Sequence, residues 1–379
     1  MSQTNLILVS TTFHAHVASQ LIDEYFSDDQ NVILSSSSIS SRALRGKEET
    51  DSRFESFRVI HVEFSSQGTF PKQSLALLLI SLLLAKIKCF PSGRVRSMAG
   101  INPSRIIVFS PNAVSLMVRA LYPQAEVYLC EEGLGSYDGS ILRRIFYLDN
   151  KGDSSTALSR ILSFVNGVCF QGNLLLNPRG IFMHQPTLVT ANYPFPIIKI
   201  GRNAKSERQT DKREVDSPAG HNWQIIFLGQ AVKGGLCNHV KRDDSLFAEV
   251  SCYFPQVIYR KHPRDKRFYS DRKLDEALDW ESFCANIDAN STVLISDFST
   301  AATVPKLLGD KEPWLLFLFD YKTDDESALS PKLSEFFERF LRSYDHHQRI
   351  MTPRSPEELR EACMAIRHLI EKESGTNER

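Results

Sequence analysis

Glu126-Val127-Tyr128-Leu129-Cys130, followed at once by Glu131-Glu132-Gly133-Leu134-Gly135-Ser136-Tyr137, is the stretch from which the fold can be read. The first five residues are β-branched, aromatic and apolar and read as a strand; the next seven read as a glycine-rich turn at its carboxyl end. Upstream, the same punctuation recurs. Residues 5–10 read as a first strand, and 14–26 as a helix with Val17, Leu21, Ile22 and Tyr25 on one face. Strands at 31–34 and 57–64, a helix at 72–87, a strand at 105–109 and a helix at 112–121 complete the series. Strands alternating with helices predict an α/β domain, a parallel sheet covered on both faces.

Downstream, residues 201–222 lose hydrophobicity and mix Arg, Lys, Glu, Asp, Ser and Gly in irregular order, the signature of a solvated linker. Beyond it the alternation restarts. Strands are expected at 223–228, 256–259, 292–296 and 314–319, with helices at 244–253, 333–341 and 356–371. The chain therefore reads as two α/β domains, 1–200 and 223–379, joined by a linker at 201–222, and two domains imply a cleft. The last helix, with Leu359, Cys363, Ile366 and Ile370 at helical spacing, is a candidate to cross back to the first domain.

At 379 residues the chain exceeds one ordinary core. Its 42% hydrophobic and 24% charged residues are globular averages, which argues against a disordered or fibrous chain. Forty-five basic and forty-five acidic residues cancel, so the broad positive field of a general nucleic-acid binder is absent. Seven cysteines, odd in number and never closely paired, fit a reducing compartment rather than a disulfide framework or a metal site. The first ten residues lack the pattern of a secretory signal. The longest apolar run, 75–85, is interrupted by Ser81 and falls short of the about 20 residues that cross a bilayer. It reads as a buried helix, with Lys72, Lys86 and Lys88 able to meet anionic lipid.

Ligands of open α/β sheets bind beyond the carboxyl ends of the strands, so the turns after strands deserve inspection. Three stand out. Glu131-Glu132-Gly133 offers two adjacent carboxylates, which in a dry cleft raise each other's pKa and make one a candidate general base; the plain alternative is one solvated and one capping glutamate. Spacing does not choose between Glu131 and Glu132, because successive residues at a strand end face opposite ways. Arg260-Lys261-His262-Pro263-Arg264 is a cationic turn suited to a phosphate, or an ordinary surface turn with an exposed histidine. Ser296-Asp297-Phe298-Ser299-Thr300 runs a strand into a helix whose free amides and dipole suit a phosphate, or is simple capping by Ser299 or Asp297.

The order of these turns resembles one family. Bacterial sialyltransferases and capsule polysialyltransferases share an acid-acid-Gly motif, a later His-Pro motif and a Ser/Ser-Thr motif. The matching positions here are Glu131, Glu132 and Gly133, then His262 and Pro263, then Ser299 and Thr300. Gly133 to Tyr137, with Gly135 as a second turn glycine, looks like the longer form of the first motif. Phe227-Leu228-Gly229-Gln230 looks like the opening strand and turn of the donor domain.

The resemblance implies two Rossmann-like domains facing a cleft, the GT-B type, and transfer of a sialic-acid-like sugar from a CMP-activated donor to a glycan or glycolipid. It implies catalysis by Glu131 or Glu132 with His262, and donor binding by Gly229, Gln230, Lys261, His262, Pro263, Ser299 and Thr300. No metal or cofactor is then required, and no nucleic acid is a partner. Capsule or lipopolysaccharide assembly at the cytoplasmic face of the inner membrane, with peripheral association, is the setting it implies. Three rivals use the same residues: a transferase for another activated acidic sugar, a polyol-phosphate polymerase, or a non-catalytic glycan- or nucleotide-binding protein. The acid-acid-Gly turn argues against the polymerase. The basic run through Lys266 and Arg267 leaves the acceptor class open.

Overall fold

The structure is a computed structural model that describes residues 3–35, 57–61, 101–109, 121–141, 177–201, 223–230, 237–262, 280–321 and 329–375, with positions 111, 115, 118 and 119. The expected helix at 72–87, most of that at 112–121 and nearly all of the 201–222 linker lie outside these residues, as do Pro263, Arg264, Lys266 and Arg267. The chain divides into two compact units, Met1–Asn203 and Ala204–Arg379.

The first unit is built on β1 (Thr4–Val9), α1 (Thr12–Tyr25), β2 (Gln30–Ser35), β3 (Phe57–His61), β4 (Arg105–Val108), β5 (Glu126–Cys130), the single-turn α2 (Leu134–Tyr137), β6 (Pro178–Met183) and β7 (Ile197–Lys199). Its seven strands run in the order β3-β2-β1-β4-β5-β6-β7, every neighbouring pair parallel. Leu6, Ile7, Ile106, Ile107 and Val108 are all fully buried, which is why the inner strands read as unbroken apolar runs. α1 lays Val17, Ala18, Leu21 and Ile22 on this sheet.

At the amino end of the sheet a polar clamp replaces the apolar pattern. Asn5 Nδ2 donates to Asn31 Oδ1 at 2.9 Å, its register partner across β1 and β2. Asn31 in turn donates to the carbonyl of Phe26, and Arg105 pairs with Asp29 at 2.9 Å. Buried amides satisfied in this way specify register, because a slip would orphan them. The carboxyl end is thereby left for other work.

The second unit comprises β8 (Gln224–Leu228), α3 (Cys237–Tyr253), β9 (Ile258–Arg260), α4 (Trp280–Asn286), β10 (Thr292–Ser296), α5 (Thr300–Gly309), β11 (Trp314–Phe317), α6 (Pro331–Arg342), β12 (Ile350–Met351) and α7 (Pro356–Gly375). Its parallel sheet has the order β12-β11-β10-β8-β9. The core centres on Phe227, stacked on Tyr259 and edge-on to Phe247. The apolar stripe of α7 is buried in this unit: Leu359, Cys363 and Ile366 join its core.

The strands β6, β7 and β12 have no counterpart in the sequence reading. β6 opens on Pro178-Arg179-Gly180, β7 has three residues and β12 two, so none offers a long alternating run. Among the described residues no helix is long and apolar enough to cross a membrane.

A buried ionic knot fastens the far side of the second unit. Lys306 Nζ, on α5, meets Glu312 Oε1 at 2.6 Å, and Glu312 Oε2 accepts from the N–H of His346 at 3.0 Å and faces His346 Nδ1 at 2.8 Å. Burial works to raise the Glu312 pKa, but the bonds from Lys306, Asp345 and His346 outweigh it and bring the carboxyl down to about 2 from 4.5. A depressed carboxylate stabilises the folded state fully above its unfolded pKa and loses that contribution as pH falls through the folded value. The stabilisation is on the order of 3 kcal/mol. Glu312→Gln is therefore expected to lower the urea midpoint at pH 7, with the difference from the unchanged protein shrinking as pH falls from 4.5 to about 2.

Candidate functional site

In the second unit the strand order reverses between β8 and β10, the switch point at which open sheets bind ligands beyond their carboxyl ends. The turns that follow β8, β9 and β10 are the ones the sequence marked, and the topology gathers them at this edge. Gly229 follows β8, and its N–H donates to the carbonyl of Arg260 at the end of β9 at 2.9 Å. A Cβ at Gly229 would stand 2.3 Å from the Tyr259 hydroxyl oxygen, so glycine is needed here for space. Tyr259 cannot yield: it is 2% exposed, and its hydroxyl donates to Asp243 at 2.5 Å.

Gln230 reaches across to the turn after β10. With its amide oriented to satisfy both ends, its oxygen accepts from the N–H groups of Phe298 and Ser299, each at 3.1 Å. Ser296 Oγ also takes the Ser299 N–H, at 2.8 Å. Ser299 is the N-cap of α5, its hydroxyl accepting from Ala301 N–H, and its carbonyl accepts from Ala302 N–H. The capping alternative is thus realised at Ser299. Of the amides at this helix entrance, the Thr300 N–H alone has no partner among the described residues, so the row of open donors expected from sequence is reduced to one beside the Thr300 side chain. Asp297 is held by Arg242 through two contacts of 3.2 Å, and Arg242 also donates to the carbonyls of Leu318 and Tyr321.

Lys261 and His262 follow β9 and are half-buried. Their turn is tied to α5 by a residue the sequence did not flag. Pro305 sits inside α5 and has no N–H to give the carbonyl of Ala301; Trp280 Nε1 fills that vacancy at 3.0 Å. The Arg260 guanidinium lies 4.7 Å from the centre of the Trp280 ring. A cation over an indole and an indole on a broken helix bond thus connect the end of β9 to the start of α5.

In the first unit, Gly133 adopts φ 116°, a conformation that requires glycine, and lets β5 turn into α2. Glu131 is fully buried. Its Oε1 lies 2.7 Å from His184 Nδ1, while Oε2 accepts from the His184 N–H at 2.9 Å and from the Tyr137 hydroxyl at 2.8 Å. The other ring nitrogen of His184 lies 2.8 Å from Gln20 Oε1 on α1. Burial alone would raise the Glu131 pKa; the charge and hydrogen bonds of His184 and the bond from Tyr137 outweigh it and keep the carboxyl below its ordinary value. Glu132, half-buried, donates its N–H to Ser136 Oγ at 2.9 Å. Gly135 and Ser136 are buried in the single turn of α2.

Sequence reasoning missed His184, Tyr137 and Gln20 as partners of the acidic turn. A signal existed for His184: Ile181-Phe182-Met183 is a short apolar run ending in histidine, the same grammar as the other strand ends.

No family model and no curated protein matches the sequence. Solved structures do match. Arabidopsis thaliana UGT89C1 complexed with UDP-L-rhamnose aligns with TM-score 0.52 and 10% identity over 96% of this chain and 88% of that one. The same plant protein complexed with UDP gives 0.51 and 11%, over 98% and 94%. The glycotransferase of kitacinnamycin gives 0.49 and 11%, over 99% and 93%. The likeness is one of fold. It is the two-domain α/β fold of GT-B glycosyltransferases, with a parallel sheet in each half.

In this fold the turn at Gly229 has no slack. Gly229→Ala is expected to destabilise the second unit by about 1–3 kcal/mol through overpacking against Tyr259. Urea unfolding of Gly229→Ala, Tyr259→Phe and the double variant checks this: the double variant should lose less than the sum of the singles, because removing the hydroxyl clears the closest contact.

Proposed function

We propose that the chain is an inverting glycosyltransferase that moves sialic acid, or a related acidic sugar, from a CMP-activated donor to a glycan acceptor. What carries the reading is the convergence of Gly229, Gln230, Arg260 and Ser299 at the switch point of the second unit; the acid-acid-Gly turn at the carboxyl edge of the first unit's sheet supports it. The plant structure of the same fold holds UDP and UDP-L-rhamnose, which supports a nucleotide-activated sugar as donor at the level of fold analogy. The order of the motifs supports CMP and an acidic sugar.

In this reaction the acceptor hydroxyl attacks the anomeric carbon from the face opposite CMP. Its proton passes to a carboxylate, a new carbon–oxygen bond forms, and the bond to the phosphate oxygen breaks with its electron pair leaving on CMP. Glu131 has both oxygens engaged and no exposed surface, so the proposal gives proton acceptance to Glu132 and makes Glu131 the residue that positions the turn. Lys261, His262, Thr300 and the amino end of α5 would meet the departing phosphate charge. On this reading Gly229 and Gln230 shape the nucleotide pocket, Pro263 stiffens the His262 turn, and the reaction needs no metal. Glycan or glycolipid acceptors of capsule or lipopolysaccharide assembly, at the cytoplasmic face of the inner membrane, complete the proposal.

Glu132→Gln is expected to lower transfer by about 100-fold or more while CMP still raises the melting temperature. Glu131→Gln should lower both activity and stability, since it loosens His184 and Tyr137 together. Thermal shift with CMP and UDP, followed by donor hydrolysis, is the direct test. Stabilisation by UDP and not CMP would move the donor to the UDP class suggested by the fold neighbours. Stabilisation by neither would favour a non-catalytic glycan-binding protein.

A further inference from the structure

One side-chain oxygen of the protein already occupies the turn after β10. That turn presents three donors to a single point: the N–H groups of Phe298 and Ser299, each 3.1 Å from the Gln230 carboxamide oxygen, and the Ser296 hydroxyl, 3.3 Å from it. Successive N–H groups turned toward one point form a nest suited to an anion, and a neutral amide oxygen is its weaker guest. This guest comes from another strand. Gln230 follows β8, and the bond from Gly229 N–H to the carbonyl of Arg260, at 2.9 Å, holds its backbone in place. Only the side chain has to turn for the nest to open, which is a change of rotamer.

The nest does not depend on Gln230 for its shape. Ser296 Oγ holds the Ser299 N–H at 2.8 Å, Ser299 caps α5 through the Ala301 N–H, and Arg242 holds Asp297 by two contacts of 3.2 Å. Arg242 also answers the charge of Asp297, a carboxylate 4% exposed that would otherwise repel an anion at the neighbouring amides. The Phe298 N–H, by contrast, has Gln230 as its one partner among the described residues. When the carboxamide turns away, these donors stay aimed beside the open N–H of Thr300.

We propose that Gln230 is a displaceable mask over the phosphate position of the donor site: its oxygen fills the nest while the site is empty and yields it to a phosphate oxygen. The phosphate position rests on the donor reading above; the mask is added to it and reverses the sign expected of a glutamine that binds the donor. A phosphate oxygen displaces the carboxamide because charge-assisted hydrogen bonds are roughly twice as strong as neutral ones. A neutral oxygen gains nothing over the one already there. Gln230 thereby selects for ligands that carry an anionic oxygen, and it lowers their apparent affinity by the fraction of time the nest is open.

Isothermal titration calorimetry of the full chain with CMP and with cytidine tests this on the unchanged protein, Gln230→Ala and Gln230→Glu, with urea midpoints to show that each folds. Gln230→Ala is expected to bind CMP about threefold more tightly, or better, because a hydrogen-bonded competitor is gone. Gln230→Glu seats a carboxylate on the same amides and should weaken CMP binding about tenfold or more. Cytidine, which brings no phosphate, should bind all three alike. Equal or weaker CMP binding by Gln230→Ala overturns the mask and leaves the donor reading standing, because a glutamine that braces the turn or contacts the donor loses affinity on removal. A gain for cytidine as large as that for CMP also overturns it. In the unchanged protein, saturating CMP should shift the Gln230 side-chain amide and the Phe298 backbone amide in ¹⁵N NMR; if neither moves, the mask is overturned even where the variants do not fold. Should neither CMP nor UDP bind the unchanged protein or Gln230→Ala, the donor reading fails and the mask with it.

Discussion

Every neighbouring strand pair in both sheets is parallel, and that one constraint organises the rest of the molecule. Parallel pairing sends all return connections over the faces and all strand-to-helix turns to one edge. The polar residues at the opposite edge are accordingly free to hold register, as Asn5, Asn31, Asp29 and Arg105 do. The carboxyl edge then collects short loops whose side chains are not required by the sheet. Glu131, Glu132, Ser10 and His14 share that edge in the first unit, and Gly229, Gln230, Lys261, His262 and Ser299 in the second.

A charge buried at such an edge must be answered locally. Glu131 shows how: burial opposes its ionisation, and the His184 imidazole, the His184 N–H and the Tyr137 hydroxyl together reverse the balance. The partners come from the strand next door and from the turn of α2, so β5, β6 and α2 are locked at one carboxylate. Gln20 extends the lock to α1 through the far nitrogen of His184. A network satisfied at each member fixes the end of β5, and with it the backbone from which Glu132 projects.

The second unit ties its turns together by other means. Pro305 breaks a helix bond, Trp280 restores it from outside, and Arg260 lies on the same indole. Gln230 occupies two amides at the entrance of α5. Both devices join turns that are far apart in sequence. The fold fixes where this edge lies, and the side chains on it determine its chemistry.

Sequence alone determined that the chain is α/β in both halves, because the alternation of apolar runs with helical faces is a local property that survives without any knowledge of contacts. It placed β5 at 126–130 and β10 at 292–296 with the observed ends, and it picked the turns after β5, β9 and β10 as the places for chemistry. It did not reveal β7 or β12, which are too short to show a period, or β6, whose first half is Pro178-Arg179-Gly180 and so reads as a turn. Tertiary structure alone decided between Glu131 and Glu132 as the enclosed carboxylate, because only the pairing of β5 with β6 brings His184, 53 positions away, against one of them. It likewise decided that Ser299 is engaged as a cap, since hydrogen-bond partners are fixed by packing in space and leave no periodic trace along the chain.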